Sequence, residues 1–268
     1  MYIGIDLGTS AIKCILIGED GRTIATASEP LQVSRPKPGF SEQDPESWWQ
    51  ATLAGFDKLA KQAPRDMAAV RGIGLSGQQH GATLLDKAGN VLRPCILWND
   101  VRSAKECHEL VARLPDLPRI TGNPTLPGFT APKLVWTKKH EPEIFARVAK
   151  VLLPKAYLRY RLSGEFIEDM SDASGTGWLD VGRRAWSKAA LEATDLSLDH
   201  MPTLVEGTAQ AGRLRAELAQ RWGMAQPPVI AGSAGDNAAG AIALGAIKPG
   251  DAFVSLGTSG VLWATTAG

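Results

Sequence analysis

Asp6 and Asp236 are the carboxylates of this sequence whose neighbours could give them chemistry. Asp6 closes an apolar run, Ile3-Gly4-Ile5-Asp6-Leu7, directly before Gly8-Thr9-Ser10. An apolar strand, a Gly-Thr-Ser turn and a second apolar run together suit a phosphate. Glycine lets successive N–H groups converge on one anion, and the hydroxyls add donors. The tripeptide returns at Gly257-Thr258-Ser259, after Phe253-Val254-Ser255-Leu256. Two such turns suggest two related domains facing one nucleotide. A carboxylate beside the first turn could hold Mg²⁺, directly or through water, while the metal bridges phosphate oxygens. The plain alternative is an Asp that caps its own turn, but capping alone predicts no repeat.

Asp236 follows a Gly-rich bend, Gly232-Ser233-Ala234-Gly235, between a strand-like run and an Ala-rich helical one. Ligands of open α/β sheets bind at the carboxyl ends of strands. A carboxylate held there could take the proton of a hydroxyl that attacks phosphorus. The competing reading is a helix N-cap, for which Asp is favoured. Gln78-Gln79-His80 lies between Gly77 and Gly81. Amides and an imidazole donate and accept hydrogen bonds without net charge, which suits a polyhydroxylated ligand. Trp98, followed by Asn99, Asp100 and Arg102, has the character of a sugar-pocket wall, although a tryptophan ending a strand is more often core. His108, His140 and His200 read as surface or satisfied residues.

The elements that must position these groups form a regular pattern. Tyr2 to Leu7, Ala11 to Ile17 and Thr23 to Ser28 read as an antiparallel meander, with a hairpin turn at Glu19-Asp20-Gly21. Asp44-Pro45-Glu46 starts a helix with an N-cap followed by proline. Trp48, Thr52, Phe56, Leu59 and Ala63 then recur at helical spacing. Val70 to Leu75 is a further strand. Ala82 to Leu85 and Val91 to Trp98 read as another hairpin, and 164–180 as a Ser/Asp/Gly-rich loop. Helical patterns recur over 102–113, 131–148, 155–162 and 187–194, and Leu214 to Trp222 reads as a short helix. Pro228 to Ala231 is strand-like, and Ala238 to Ile247 reads as a tightly packed helix. Three hairpin strands and then strand–helix alternation indicate an α/β domain with a mixed sheet. Lys248-Pro249-Gly250 reads as a hinge, dividing 1–247 from 248–268.

Composition narrows the function classes. The chain has 268 residues, 44% hydrophobic and 21% charged, with net charge +1. No basic run suggests nucleic-acid binding, and no stretch approaches the roughly 18 apolar residues of a membrane span. Cys14, Cys95 and Cys107 form neither a disulfide set nor a zinc pattern. Cytoplasm is the expected compartment, and a free sheet edge leaves a homodimer open. No P-loop, dinucleotide fingerprint or nucleophile elbow occurs.

The strings MYIGIDLGTS, SEQDPESWW, GQQHGATLLD, ILWND, PGFTAPKL, LLPK, SDASGT, AGDNAAGA and SLGTSG run through the chain in order. Together they closely resemble the FGGY carbohydrate kinases, and within them the branch that phosphorylates ketopentoses. The resemblance implies an RNase H-like fold of the actin/hexokinase-like ATPase superfamily. It implies transfer of the γ-phosphate of Mg-ATP to a sugar hydroxyl, with D-xylulose the expected acceptor and ribulose, gluconate or glycerol the alternatives. Asp236 would be the base, and Asp6 would support Mg²⁺ and the phosphates. Gln79, His80 and Asn237 would contact the sugar. Gly8, Thr9, Ser10 and Lys13, with Gly257, Thr258 and Ser259 from the second turn, would face ATP. Members of that branch commonly carry Met-His where this chain has Gln79-His80, and often Gly at the place of Val101. Family members are about twice as long, so residues 248–268 are expected to begin a second, ATP-binding domain. Two rival readings are a sugar-binding module without catalysis and an actin-like or chaperone-type ATPase that needs no sugar. The polar segment at Gln79 and the Asp236-Asn237 pair argue against the latter.

Overall fold

The computed structural model describes residues 1–256 and 260–267. At its centre is a six-stranded mixed sheet. β1 (Tyr2–Leu7), β2 (Ala11–Ile17) and β3 (Thr23–Pro30) form the expected antiparallel meander. Strand Gly72–Gly77 joins the other side of β1 in parallel, setting Ile5 opposite Leu75 and Asp6 opposite Ser76. Val229–Ala231 then adds in parallel, and Gln210–Arg213 closes that edge antiparallel.

Alternation decides which face is filled. Ile3, Ile5 and Leu7 of β1 and Ile12, Cys14 and Leu16 of β2 point one way and are buried. Each fully buried aliphatic side chain stabilises the fold by about 1.5–3 kcal/mol. Helix α1 (Pro45–Gln62) covers this face with Trp48, Phe56 and Leu59. The cap is the one read from sequence: Asp44 accepts the Glu46 N–H, with Pro45 in the first turn. The opposite face carries small or polar residues, among them Gly4, Asp6, Lys13, Gly74 and Ser76. A second core, built around Leu110, Leu134, Val135, Trp178 and Leu191, packs beyond the strand ends.

Several expectations are corrected. Thr83–Leu85 pairs with Lys150–Leu152, and Cys95–Ile96 pairs with Glu42–Gln43, so Ala82 to Trp98 is not a simple hairpin. Only isolated bridges, Leu85 to Val91 and Ala82 to Ile96, join its two arms. The helical pattern over 131–148 breaks at Pro142 into Thr130–His140 and Pro142–Phe145, because proline lacks the N–H that would continue the ladder. The supposed loop 164–180 holds strand Ile167–Asp169, which pairs with Thr203–Val205, and helix Met170–Ala173. Helix Asp236–Leu244 is less enclosed than its Ala/Gly content suggests, since Ile242 and Leu244 are exposed. Among the described residues, strands Ala252–Leu256 and Gly260–Ala264 pair only with each other, with Val254 and Leu262 exposed. Among the described residues no helix is long and apolar enough to cross a membrane.

Candidate active site

Asp236 opens helix Asp236–Leu244 rather than capping it. Gly235 is the N-cap, and Asp236 lies in the first turn, where the helix dipole favours an anion. Its Oδ1 accepts the Asn237 N–H at 2.8 Å. Loss of surrounding water raises its carboxyl above the ordinary range, and the nearby Asp6 charge adds to the rise against the opposing Asn237 hydrogen bond. A carboxylate poised in this way is a better proton acceptor than an ordinary surface Asp.

A polar cavity of about 280 Å³ brings together residues remote in sequence: Thr9, Gln79, His80, Trp98, Asp236 and Asn237. Phe253, Ser255 and Val261 of the C-terminal hairpin complete its lining. Gln79 packs so closely over Gly235 that a Cβ there would lie 2.4 Å from its amide nitrogen. A side chain at position 235 would push Gln79 out of this approach. The Gln79 amide also donates to the Ser171 carbonyl at 3.3 Å.

The first Gly-Thr-Ser turn divides its tasks. The Gly8 N–H is committed to the Ala11 carbonyl within the turn. The Thr9 hydroxyl accepts from Trp98 Nε1 at 3.0 Å and donates to Gln78 Oε1 at 3.4 Å, and the Thr9 carbonyl accepts from Gln43 Nε2 at 2.7 Å. Thr9 is therefore fixed by three side chains beside the Asp236 cavity. Ser10 is exposed, and its carbonyl ties β3 by accepting from Leu31. Trp98 is both wall and brace, half-buried against this turn.

Asp6 and Lys13 face one another across the β1–β2 register and line a separate cavity of about 550 Å³ with Ser28 and Ser76. Among the described residues the Asp6 carboxylate has no hydrogen-bond partner. An uncommitted carboxylate at a strand end fits a Mg²⁺ that keeps most of its waters. Gly257, Thr258 and Ser259 lie outside the described residues. A third cavity, about 840 Å³, runs along helix Asp236–Leu244 past Ala238 and Ile242 but contains neither Asp6 nor Asp236. The smaller, polar cavity is the one that contains Asp236.

Two buried networks support the site, and sequence reasoning missed both. Gln43 and Gln78 join Trp48 and Thr9 through their amides. Behind the Asp236 loop, Lys155 meets Asp169 at 2.6 Å, Glu168 at 2.9 Å and Asp172 at 3.4 Å. Asp169 accepts the Ser171 hydroxyl, which in turn accepts the Gly235 N–H at 3.2 Å. The three carboxylates lie close enough to ligate one metal ion, but the Lys155 ammonium already stands at their centre. LLPK and SDASGT were visible as strings, yet spacing does not reveal that Lys155 and Asp169 meet.

A mixed sheet opening on an antiparallel meander, with one carboxylate at a strand end and another at a helix start, defines a domain of the actin/hexokinase-like ATPase fold. The chain belongs to the FGGY family of carbohydrate kinases, and residues 1–243 match its N-terminal domain. It is 56% identical to a xylulose kinase of Escherichia coli K12 over the whole chain and 55% of that protein. It is 41% identical to a xylulose kinase of Bacillus subtilis over 97% of the chain and 52% of that protein. Among solved structures, a "xyloylose kinase" from Brucella ovis superposes with TM-score 0.95 at 56% identity, covering 98% of this chain and 54% of that one. A xylulose kinase from Rhodospirillum rubrum gives 0.92 at 30% identity, covering 97% and 54%. The chain thus spans about half the length of these relatives.

Proposed function

We propose that this chain is the sugar-binding half of an ATP-dependent kinase that converts D-xylulose to D-xylulose 5-phosphate. The observation that carries the reading is the polar cavity where Gln79, His80, Asp236 and Asn237 converge. The presence of xylulose kinases among its relatives supports D-xylulose as the acceptor. In this reading the sugar hydroxyl oxygen attacks the γ-phosphorus, its proton passes to Asp236, and ADP leaves. His80, Gln79 and Asn237 orient the acceptor, while the first turn and Lys13 face the transferred phosphate. Asp6 would hold Mg²⁺, which when bound offsets phosphate charge. Residues 248–268 begin the ATP-binding half, with Gly257, Thr258 and Ser259 facing its phosphates. Catalysis of this kind is mainly positioning and electrostatics, and exclusion of water protects ATP from hydrolysis.

The test is ADP release with Mg-ATP and a panel of D-xylulose, ribulose, gluconate and glycerol, on this chain and on a chain extended to the relatives' length. Xylulose-dependent turnover is expected of the extended chain. Asp236→Ala should lower kcat at least about 100-fold without changing the fold. Near-normal turnover in that variant would remove Asp236 from its role, and preference for another acceptor would overturn the assignment of D-xylulose.

A further inference from the structure

His80 sits in a conformation that its own residue type resists. Its φ is 66°, and the Gly81 N–H bonds back to the Gln79 carbonyl at 2.8 Å. This makes His80 the centre of a γ-turn with positive φ, the rare and strained form. Such strain persists only where the surroundings over-determine it.

Three contacts do so. Lys133 Nζ donates to the His80 carbonyl at 2.8 Å, and the Thr130 hydroxyl donates to the same oxygen at 3.1 Å. The ring is held separately, with Nδ1 2.6 Å from the Gly175 carbonyl. A carbonyl can only accept, so Nδ1 carries the hydrogen and Nε2 is left as a bare acceptor. Among the described residues Nε2 has no partner, and the residue lines the Asp236 cavity. Gly175 is needed here, since a Cβ would lie 2.7 Å from the ring.

Lys133 is the unusual member. It is fully buried on helix Thr130–His140, and its second acceptor is another carbonyl, Gly128 at 2.6 Å. No carboxylate pairs with it among the described residues. A buried ammonium without a counter-charge is costly, and close packing alone gives no reason to keep one. We propose that Lys133 is a positioning residue that locks the His80 γ-turn, so that the ring presents a bare Nε2 acceptor to the sugar hydroxyls. The function of that acceptor rests on the sugar-binding reading above; the lock itself does not. Burial also pulls the Lys133 ammonium down to about 7. The titratable and charged groups facing it are Cys95, Asp100, Arg102, Cys107 and the His80 imidazole itself.

The test is nitrogen-15 NMR of the histidine rings in the ligand-free 268-residue chain, with titration of D-xylulose alongside. The unaltered chain should show His80 as a single Nδ1-protonated tautomer. In Lys133→Met the ring nitrogens should move to the averaged position of a mixed tautomer, and the Kd for D-xylulose should rise about tenfold or more. Unchanged His80 nitrogens in folded Lys133→Met would overturn the proposal, whatever the sugar does. If the unaltered chain binds no sugar while Lys133→Met still scrambles the ring, the sugar-binding reading falls and the lock stands. Should that variant not fold, the carbonyl carbon-13 shift of His80 in the unaltered chain decides. It should step in parallel with the Lys133 Nζ nitrogen-15 shift as that amine loses its proton, and a His80 carbonyl that stays flat across the recorded Lys133 titration would overturn the lock.

Discussion

Lys133 and Lys155 are both fully buried lysines on helices, yet their surroundings push them in opposite directions. Burial lowers Lys133 to about 7, because its ammonium meets two carbonyls and no paired carboxylate. Burial acts on Lys155 as well, but the Glu168, Asp172 and Asp169 charges outweigh it and hold the ammonium above its ordinary value. The difference shows that burial alone does not say what a lysine does. Lys155 is the counter-charge of an acidic cluster that braces the Asp236 loop through Ser171. Lys133 retains an expensive charge to hold one strained residue in the cavity.

The largest effect should come from breaking the cluster. Lys155→Met leaves three buried carboxylates with Arg159, 4.0 Å from Glu168, as the one cation in reach among the described residues. Removing one partner of a buried charge set typically costs about 3–5 kcal/mol. Urea unfolding should show a loss of that size. A loss below about 1 kcal/mol would mean that the acids simply take up protons, and the contrast with Lys133 would weaken.

The two lysines should also differ in how stability responds to pH. Lys133 titrates at about 7 in the folded chain against an ordinary 10.5. Between these values the unfolded chain holds a proton that the folded one has released, so stability rises with pH across the window. Below pH 7 both states are protonated and the full cost of the buried charge is present. The rise has an upper limit of roughly 5 kcal/mol. Lys133→Met should lose this rise. Lys155→Met should keep the Lys133 contribution, set against an added fall from the carboxylates that Lys155 no longer holds down. Unfolding free energies measured from about pH 7 to about pH 10 on the three proteins decide the matter, and parallel curves would break the comparison.

These two sites also mark the limit of what was legible in the chain. β1 to β3 were readable because alternation is local, and α1 because Asp44-Pro45 is a local start signal. The residues of the polar cavity were named from type and neighbourhood. Pairings such as Thr83–Leu85 with Lys150–Leu152 were hidden because partners so far apart leave no periodic trace. Both lysines were passed over for the same reason: lysine ordinarily lies at the surface, and its exceptions depend on contacts made only in the fold. His80 was singled out for its imidazole, but its positive φ comes from Lys133 and Thr130, some fifty positions away.

The smallest effect tests the comparison inside the acidic cluster itself. Asp169 bonds Lys155 and caps helix Met170–Ala173, accepting the Ser171 and Asp172 N–H groups. Burial pushes against its ionisation, but Lys155 and these hydrogen bonds hold its carboxyl below the ordinary range. Its stabilisation is therefore lost as pH falls through that lowered value. Asp172 has no hydrogen bond on either oxygen, and burial raises its carboxyl well above the ordinary range despite Lys155, with Glu168 and Asp169 adding to the rise. A neutral side chain of the same shape should serve equally well there. Asp172→Asn is expected to stay within about 1 kcal/mol of the unaltered chain near neutral pH. Because the raised group costs more as pH climbs from the ordinary carboxylate range towards its raised value, the variant should gain on the unaltered chain across that span. Asp169→Asn should cost about 1–3 kcal/mol, through the cap and the Lys155 contact together. Equal losses in the two variants would show that Lys155 treats its carboxylates alike, and Asp169 would no longer stand apart as the link to the Asp236 loop.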